Sequence, residues 1–149
     1  MKTKLAIILL FAFALACSMA SAQTAPDQDN KAKIQAATDA AQKWLKLVDD
    51  GKYAESWEEA ASMFKAQVTK EQWLSAMQQT RVPMGALKSR AFKDATYATK
   101  LPGTPDGEYV VIQFAASFTG LDSGVETITP VKDKDGKWRV TGYFIKPAE

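Results

Sequence analysis

The chain contains no histidine and a single cysteine, Cys17, among its 149 residues. Histidine is the most common general base near neutral pH and a common metal ligand, while thiolates serve as nucleophiles and zinc ligands. These absences exclude Ser-His-Asp and Cys-His catalytic centres and an intramolecular disulfide. Neither of the two common glycine-rich phosphate-binding motifs occurs. The sequence therefore predicts no metal site, no cofactor and no conventional catalytic residue.

Long apolar runs are also absent, except near the N-terminus. Two early lysines precede the uncharged apolar stretch 5–16, and the small residues Ala20-Ser21-Ala22 follow it. This order predicts a signal peptide over residues 1–22, cleaved between Ala22 and Gln23. The apolar stretch is shorter than the roughly 20 residues that a membrane-spanning helix needs. We therefore expect a periplasmic or secreted protein without a transmembrane span.

Cys17 supports a second interpretation. Ala14-Leu15-Ala16-Cys17 resembles the lipobox of bacterial lipoproteins, although Ala14 stands where that motif usually has leucine. Cleavage after Ala22 would remove the only thiol, whereas cleavage before Cys17 would leave that residue as a lipid anchor. We favour cleavage after Ala22 and keep the anchored lipoprotein as the alternative.

Charge is balanced once the signal peptide is removed. The full chain has 19 basic and 17 acidic residues, and loss of Lys2 and Lys4 makes the two numbers equal. A neutral domain offers no electrostatic basis for binding nucleic acid or an anionic membrane. The remaining length suits one domain with its own core. We expect a flexible leader over residues 23–33 and a single domain over residues 34–149.

Hydrophobic periodicity predicts three helices. Apolar residues recur at three- and four-residue steps over 34–48, which is typical of one helix face. A second helix is predicted over 52–65. A third begins at Thr69, because Gln72 three residues later completes a capping-box pattern, and it ends before Val82-Pro83.

From Leu87 onward the pattern changes to the period of two that is typical of strands. Short connections, including Asp135-Gly136, predict an antiparallel meander. Helices followed by strands indicate an α+β fold in which the helices cover one face of a curved four-stranded sheet. The predicted strands are 87–101, 108–119, 125–132 and 137–145, with a loop over 120–124. In the last strand, alternation places Trp138, Val140, Gly142 and Phe144 on one face and Arg139, Thr141, Tyr143 and Ile145 on the other.

Motifs spread along the predicted domain carry a family resemblance. They are Trp44-Leu45-x-Leu47-Val48-Asp49-x-Gly51-x-Tyr53-x-x-Ser56-Trp57, Gln72-Trp73, Arg81-x-Pro83-x-Gly85, Pro102-Gly103-x-Pro105-Asp106-Gly107-Glu108-Tyr109, Glu126-Thr127 and Asp135-Gly136-x-Trp138-Arg139-Val140-x-Gly142-Tyr143. The set resembles the DUF4019 family of small exported bacterial proteins, which have no assigned function. The element order also resembles the NTF2-like cone, a bent sheet wrapped around a helix that often leaves a pocket. That fold hosts enzymes and partner-binding domains alike, so it does not decide the function.

Three patterns match known sites only in part. Ser62-x-x-Lys65 fits the nucleophile motif of penicillin-recognising enzymes, but the partner motifs are missing. Asp133-x-Asp135-Gly136 resembles the start of a calcium loop, but the loop lacks its final glutamate. We interpret the first as part of an amphipathic helix and the second as a hairpin turn. The acidic pairs Asp49-Asp50 and Glu58-Glu59 are interpreted as solvated helix surface.

The best candidates for a ligand site are aromatic and charged side chains that could meet at the mouth of a cone. The four tryptophans suit either a core or a pocket wall. Guanidinium groups suit carboxylate or phosphate ligands, but they also cap helices or pair with acids such as Glu126 and Asp94. The predicted ligand-binding residues are Trp57, Trp73, Arg81, Arg90, Glu126 and Tyr143.

Three functions are compatible with this sequence. The first is a non-catalytic domain that binds a small molecule or an envelope protein, which the missing catalytic residues and the tryptophans favour. The second is an isomerase or dehydratase in which Glu126, with a raised pKa, acts as a base and Tyr143 as an acid. The third is a structural protein that forms a homodimer through the sheet face carrying Tyr143 and Ile145.

The predicted export signal can be tested directly. When the full chain is expressed in a bacterial host, N-terminal sequencing and intact-mass measurement of the periplasmic fraction should show a protein that begins at Gln23. A protein that begins at a lipid-modified Cys17 and fractionates with membranes would contradict this expectation and establish the alternative.

Overall fold

The computed structural model describes residues 26–148, so the predicted signal peptide and its cleavage site lie outside the described residues. The helices are α1 (Pro26–Asp49), α2 (Tyr53–Glu58), α3 (Ser62–Gln67) and α4 (Lys70–Thr80), followed by the 3₁₀ turn Val82–Met84. The strands are β1 (Leu87–Ala98), β2 (Tyr109–Phe118), β3 (Leu121–Lys132) and β4 (Trp138–Pro147). They form one antiparallel sheet in the order β1-β2-β3-β4. The predicted α+β class and the meander are confirmed.

Helix α1 begins earlier than the sequence predicted. It starts at Pro26, so residues 26–33, which we predicted to belong to a flexible leader, are helical. Ion pairs between residues four apart support these turns: Lys31 lies 2.9 Å from Asp27, and Lys33 lies 2.9 Å from Asp29. Both aspartates also face the positive end of the helix dipole. Hydrophobic periodicity does not detect such polar support. Within the described residues, no helix is long and apolar enough to cross a membrane.

The segment predicted as one helix over residues 52–65 is two short helices, so that prediction was wrong. Ala61, between α2 and α3, has the extended angles φ −60° and ψ 149°. Its N–H donates to the carbonyl of Val140 in β4 at 2.8 Å, and the next N–H, of Ser62, donates to the Asp133 carboxylate at 3.0 Å. Contacts with the sheet therefore interrupt a segment whose amphipathic pattern continues through the break.

Helix α4 begins as predicted. The N–H of Gln72 donates to Thr69 Oγ1 at 3.2 Å, and the N–H of Thr69 donates to Gln72 Oε1 at 2.9 Å, which completes the capping box. After the 3₁₀ turn, Gly85 has φ +76°, and a Cβ atom there would lie 2.0 Å from Thr119 Oγ1. Only glycine fits this turn, which leads the chain from the helices into the sheet.

A β-bulge in β4 changes which of its residues face the helices. Pro130 of β3 pairs with Val140, but its neighbour Thr129 pairs with Gly142, so Thr141 is an extra residue on β4. Because Pro130 has no N–H to donate to the ladder, the irregularity lies where regular pairing is already weakened.

Beyond the bulge, the alternation predicted for the last strand was wrong. Tyr143 pairs with the fully buried Ile128 and packs against Trp44, with ring centroids 5.4 Å apart. Phe144 is 60% exposed on the opposite face. Tyr143 and Ile145, two residues further along the strand, therefore face the helices and not the uncovered side of the sheet.

The core lies between the helices and one face of the sheet. Alternate residues of β2 point into it, and the residues between them form part of the outer face, which carries mostly small and polar side chains. Strand β3 begins at Leu121, inside the segment predicted as a loop, because a tight turn at Thr119-Gly120 joins it to β2. One cluster of buried core residues consists of Ala37, Ala41, Trp44, Leu45, Val48, Trp73, Met77, Val110, Ile112, Phe114, Ile128 and Val140.

Glu108, just before β2, connects the N-terminal half of α1 to the sheet. Its Oε1 lies 2.7 Å from Lys33 Nζ and accepts a hydrogen bond from the Tyr97 hydroxyl at 3.0 Å, and its Oε2 lies 3.0 Å from Lys132 Nζ. Hydrogen bonding from Lys33, supported by Lys132 and Tyr97, lowers the pKa of Glu108 to about 2, although partial burial acts in the opposite direction.

Replacing Glu108 should change how the free energy of unfolding depends on pH in the acidic range. We expect Glu108→Gln to lower the free energy of unfolding at neutral pH by about 1 kcal/mol, the upper end for partly exposed ion pairs. Because the folded-state pKa lies below the ordinary 4.5, this contribution is complete above pH 4.5 and is lost as the pH falls through about 2. Urea denaturation of both proteins across that window should show the difference shrinking.

Asp106→Asn provides the control, because its side chain is 80% exposed beside Lys100. It should change stability little at any pH. A difference between Glu108→Gln and the natural protein that stays constant down to pH values near 2 would contradict the assigned pKa.

Candidate functional site

Five polar side chains meet where the C-terminal end of α1 lies against the sheet. We call this set the buried network. Each member comes from a different place in the fold: the last residue of α1, the residue after α4, and strands β1, β3 and β4. Four of the six predicted ligand-binding residues are among them. The members are Asp49, Arg81, Arg90, Glu126 and Tyr143.

Glu126 lies at the centre of the buried network. It is on β3, an interior strand, and no part of it is exposed. Arg90 donates two hydrogen bonds to it, from Nε to Oε2 at 2.5 Å and from Nη2 to Oε1 at 3.1 Å, and the Tyr143 hydroxyl donates to Oε1 at 2.9 Å. A bidentate guanidinium is among the strongest partners for a carboxylate. The pairing offsets the large desolvation penalty of a buried charge.

Asp49 bridges the two arginines of the buried network. Arg90 donates from Nη1 to Oδ2 at 2.6 Å and from Nη2 to Oδ1 at 3.0 Å, and Arg81 donates from Nη2 to Oδ1 at 3.1 Å. Our interpretation of Asp49 as solvated helix surface was therefore wrong, whereas Asp50 is exposed and pairs with Lys46. One signal for Asp49 was present, because it follows the buried Leu45 by four residues and so shares its helix face.

Arg81 is almost completely buried, with 3% of its surface exposed. Its Nη1 donates to the carbonyl of Gly85 at 2.6 Å, and its guanidinium carbon lies 4.5 Å from the centroid of the Phe118 ring. Within residues 26–148, its Nε has no hydrogen-bond partner. Arg81 therefore fixes the glycine turn and the end of α1 together.

The pKa shifts in the buried network keep its hydrogen-bond donors protonated. Burial, followed by the negative charge of Glu126, raises the pKa of the Tyr143 phenol. Burial lowers the pKa of Arg90, but its hydrogen bonds to Asp49 and Glu126 outweigh that effect, so the net shift is upward. Glu126 thus accepts three hydrogen bonds from groups that keep their protons at physiological pH.

The two predicted tryptophans differ in position. Trp73 is buried behind the network: its ring lies 6.4 Å from that of Tyr143, and its Nε1 donates to Ser56 Oγ at 3.0 Å. Trp57 is separate, and its Nε1 donates to the carbonyl of Val68 at 2.8 Å. The structure therefore brings together five of the six predicted residues and leaves Trp57 outside.

A surface groove of about 870 Å³ lies between α1, α2 and the turn that joins β3 to β4. None of the six predicted residues lines it. Its charged rim consists of Asp39, Lys43, Glu55, Glu58, Glu59, Lys137 and Arg139. Its floor is apolar and consists of Ala36, Ala40, Trp44, Leu47 and Trp138. We had singled out Trp44 and Trp138 as either core or pocket wall, and in the structure they do both, because each also packs on the core.

A smaller polar compartment of about 420 Å³ lies beside the groove. In its wall, the Ser62 hydroxyl donates to Asp133, and Arg139 donates to both oxygens of Asp135 at 2.8 Å. Lys65 Nζ instead donates to the carbonyl of Glu58 at 2.8 Å. Ser62 and Lys65 are thus held by different partners, and the two aspartates brace a hairpin turn.

Helices packed on one face of an antiparallel meander, with a buried charge network at one end of the interface, define a small α+β domain. The family model described as "Protein of unknown function (DUF4019)" matches residues 40–143. The chain belongs to that family, as its motifs predicted. The matched region includes all five members of the buried network and ends at Tyr143. A search of curated proteins finds no match.

Removing members of the buried network should have graded effects on stability. Tyr143→Phe takes one hydrogen bond from a charged acceptor that keeps its arginine, and should cost about 1.5–3 kcal/mol. Arg90→Met leaves Glu126 buried without its cation and should cost about 3–5 kcal/mol. Urea denaturation followed by circular dichroism measures both.

Arg139→Met is the matched control, because Arg139 forms its ion pairs near the surface. It should cost less than about 1 kcal/mol. If Arg90→Met were no more destabilising than Arg139→Met, the pairing of Arg90 with Glu126 would not be the strong buried interaction that its geometry indicates.

Proposed function

We propose that this chain is an exported, non-catalytic binding domain of the bacterial envelope, and that its ligand site is the groove between α1, α2 and the β3–β4 turn. One observation carries the proposal: an apolar floor that includes the partly buried Trp138 and the edge of the largely buried Trp44 lies inside a charged rim. Concave, mostly apolar surfaces with a few polar groups are typical of ligand sites.

The buried network supports a role other than catalysis for its residues. An isomerase or dehydratase would need Glu126 to reach a substrate and take a proton from it. Both carboxylate oxygens of Glu126 instead accept hydrogen bonds from Arg90, and the Tyr143 hydroxyl donates a further hydrogen bond to the same carboxylate. Neither the groove nor the polar compartment is lined by these residues. Their chemistry is used inside the protein to hold its elements together.

Export is supported by the N-terminal sequence and by where the fold begins. The first described element, α1, starts at Pro26, after the predicted cleavage site. Processing between Ala22 and Gln23 would therefore leave every described helix and strand intact. We propose a soluble periplasmic or secreted form, with anchoring through Cys17 as the alternative.

The groove can be tested with indole, an apolar aromatic probe, by NMR of the ¹⁵N-labelled protein. Indole should shift the backbone amide signals of Leu47, Gly136 and Trp138. Ala36→Glu places a charge on the groove floor and should weaken indole binding about tenfold, which corresponds to about 1.4 kcal/mol. Ala32→Glu is the matched control, since Ala32 is also exposed on α1, one turn earlier, but does not line the groove.

Two results would contradict the proposal. One is the absence of indole-induced shifts, together with no ligand retained by the periplasmic protein in native mass spectrometry. The other is a set of shifts confined to residues remote from the groove. Equal effects of Ala36→Glu and Ala32→Glu would likewise place the binding elsewhere.

A further inference from the structure

The groove and the polar compartment lie side by side on the surface, and we call the two together the cleft. Glu58, Glu59 and Arg139 contribute to the walls of both. The cleft therefore extends from α1, past α2, to Ser62 at the start of α3. Its two parts measure about 870 Å³ and 420 Å³. A ligand that occupies both parts must be elongated.

The chemistry of the cleft changes along its length. At the groove end, Trp44, Leu47 and Trp138 form an apolar floor. At the other end, every lining residue is polar or charged. A complementary ligand therefore has an apolar part followed by a polar part.

The walls of the cleft carry charges of both signs. One wall carries Glu55 and Glu58 of α2, which pair with Lys52 and Lys70, and Glu59 directly after the helix. Lys43 of α1 and Lys137 of the β3–β4 turn are basic. A ligand of one sign would be attracted by one wall and repelled by the other. Since complementary charge patterns select partners, the arrangement favours a ligand that carries both signs.

The cleft is also open to solvent. Small-molecule sites usually enclose their ligand and bury roughly 70–90% of its surface. A peptide segment lying in a groove leaves one side in solvent and inserts selected side chains. Resting on the proposed function, we infer that the occupant of the cleft is an extended segment of a partner polypeptide. It places an apolar side chain on the floor of Trp44, Leu47 and Trp138 and charged side chains of both signs along the walls.

Selection of random phage-displayed peptides on the purified protein tests this inference. The enriched peptides should share an aromatic or aliphatic residue flanked by acidic and basic residues. Fluorescence anisotropy of the synthetic peptides should show binding that Ala36→Glu weakens about tenfold and that Ala32→Glu leaves unchanged.

Reversing the charge of single residues in the cleft distinguishes a peptide that carries both positive and negative charges from a ligand that carries only one. Lys43→Glu and Glu59→Lys should each weaken binding. Lys43→Glu would repel the acidic side chain of the peptide, and Glu59→Lys would repel its basic side chain. Opposite effects of the two variants would indicate a ligand of one sign and would overturn the inference.

The outcomes also separate this inference from the proposed function. If no peptide is enriched, or if the enriched peptides bind Ala36→Glu normally, while indole still shifts the amides of the groove, the polypeptide assignment fails and the groove remains a ligand site. If indole produces no shifts at the groove either, the proposed function fails with it.

Discussion

Glu126 is a carboxylate with no exposed surface on an interior strand of the sheet, and the arrangement of the elements around it follows from that position. An ionised carboxylate in such a place would destabilise the fold by several kcal/mol if it were left unpaired. Arg90 from β1 and Tyr143 from β4 supply the hydrogen bonds that prevent this. Arg90 has further N–H groups to satisfy, and Asp49 at the end of α1 accepts hydrogen bonds from two of its nitrogens. One buried charge thereby fixes the edge strands and the first helix relative to one another.

Local chemistry in the sequence was sufficient to predict much of this fold. The capping box at Thr69, the strand periodicity and the turn at Asp135-Gly136 each depend on neighbouring residues, so they could be interpreted without knowledge of the tertiary structure. The pairing of Arg90 with Glu126 was one of the alternatives we considered, because a guanidinium inside a small domain needs an acid. The order of the strands followed from the short connections between them.

The features that the sequence did not predict depend on partners far away along the chain. The break at Ala61 is set by Val140 and Asp133, and the role of Asp49 is set by two arginines more than thirty residues later. The sequence did not predict the groove for the same reason. Its floor combines residues of α1 with Trp138, and no local pattern indicates that those surfaces meet.

Trp44 connects the groove to the buried network. It lines the groove, while its ring contacts Tyr143 and its Nε1 donates to the carbonyl of Ser56 at 2.7 Å. The groove floor is therefore preorganised by the buried network.

The extra residue in β4 has a consequence for how such chains can vary in evolution. Side chains alternate along a strand, so in this chain the bulge at Thr141 decides whether Tyr143 points to Glu126 or to the outer face of the sheet. If Thr141 were instead paired regularly with Thr129, Phe144 would lie opposite Glu126, Tyr143 would point to the outer face, and Glu126 would lose a donor. A relative that lacks both Thr141 and the bulge would keep Tyr143 on the helix side, whereas a relative that keeps the residue but loses the bulge would not. Regular alternation counted from Val140 would place Phe144, and not Tyr143, on the side of the buried acid.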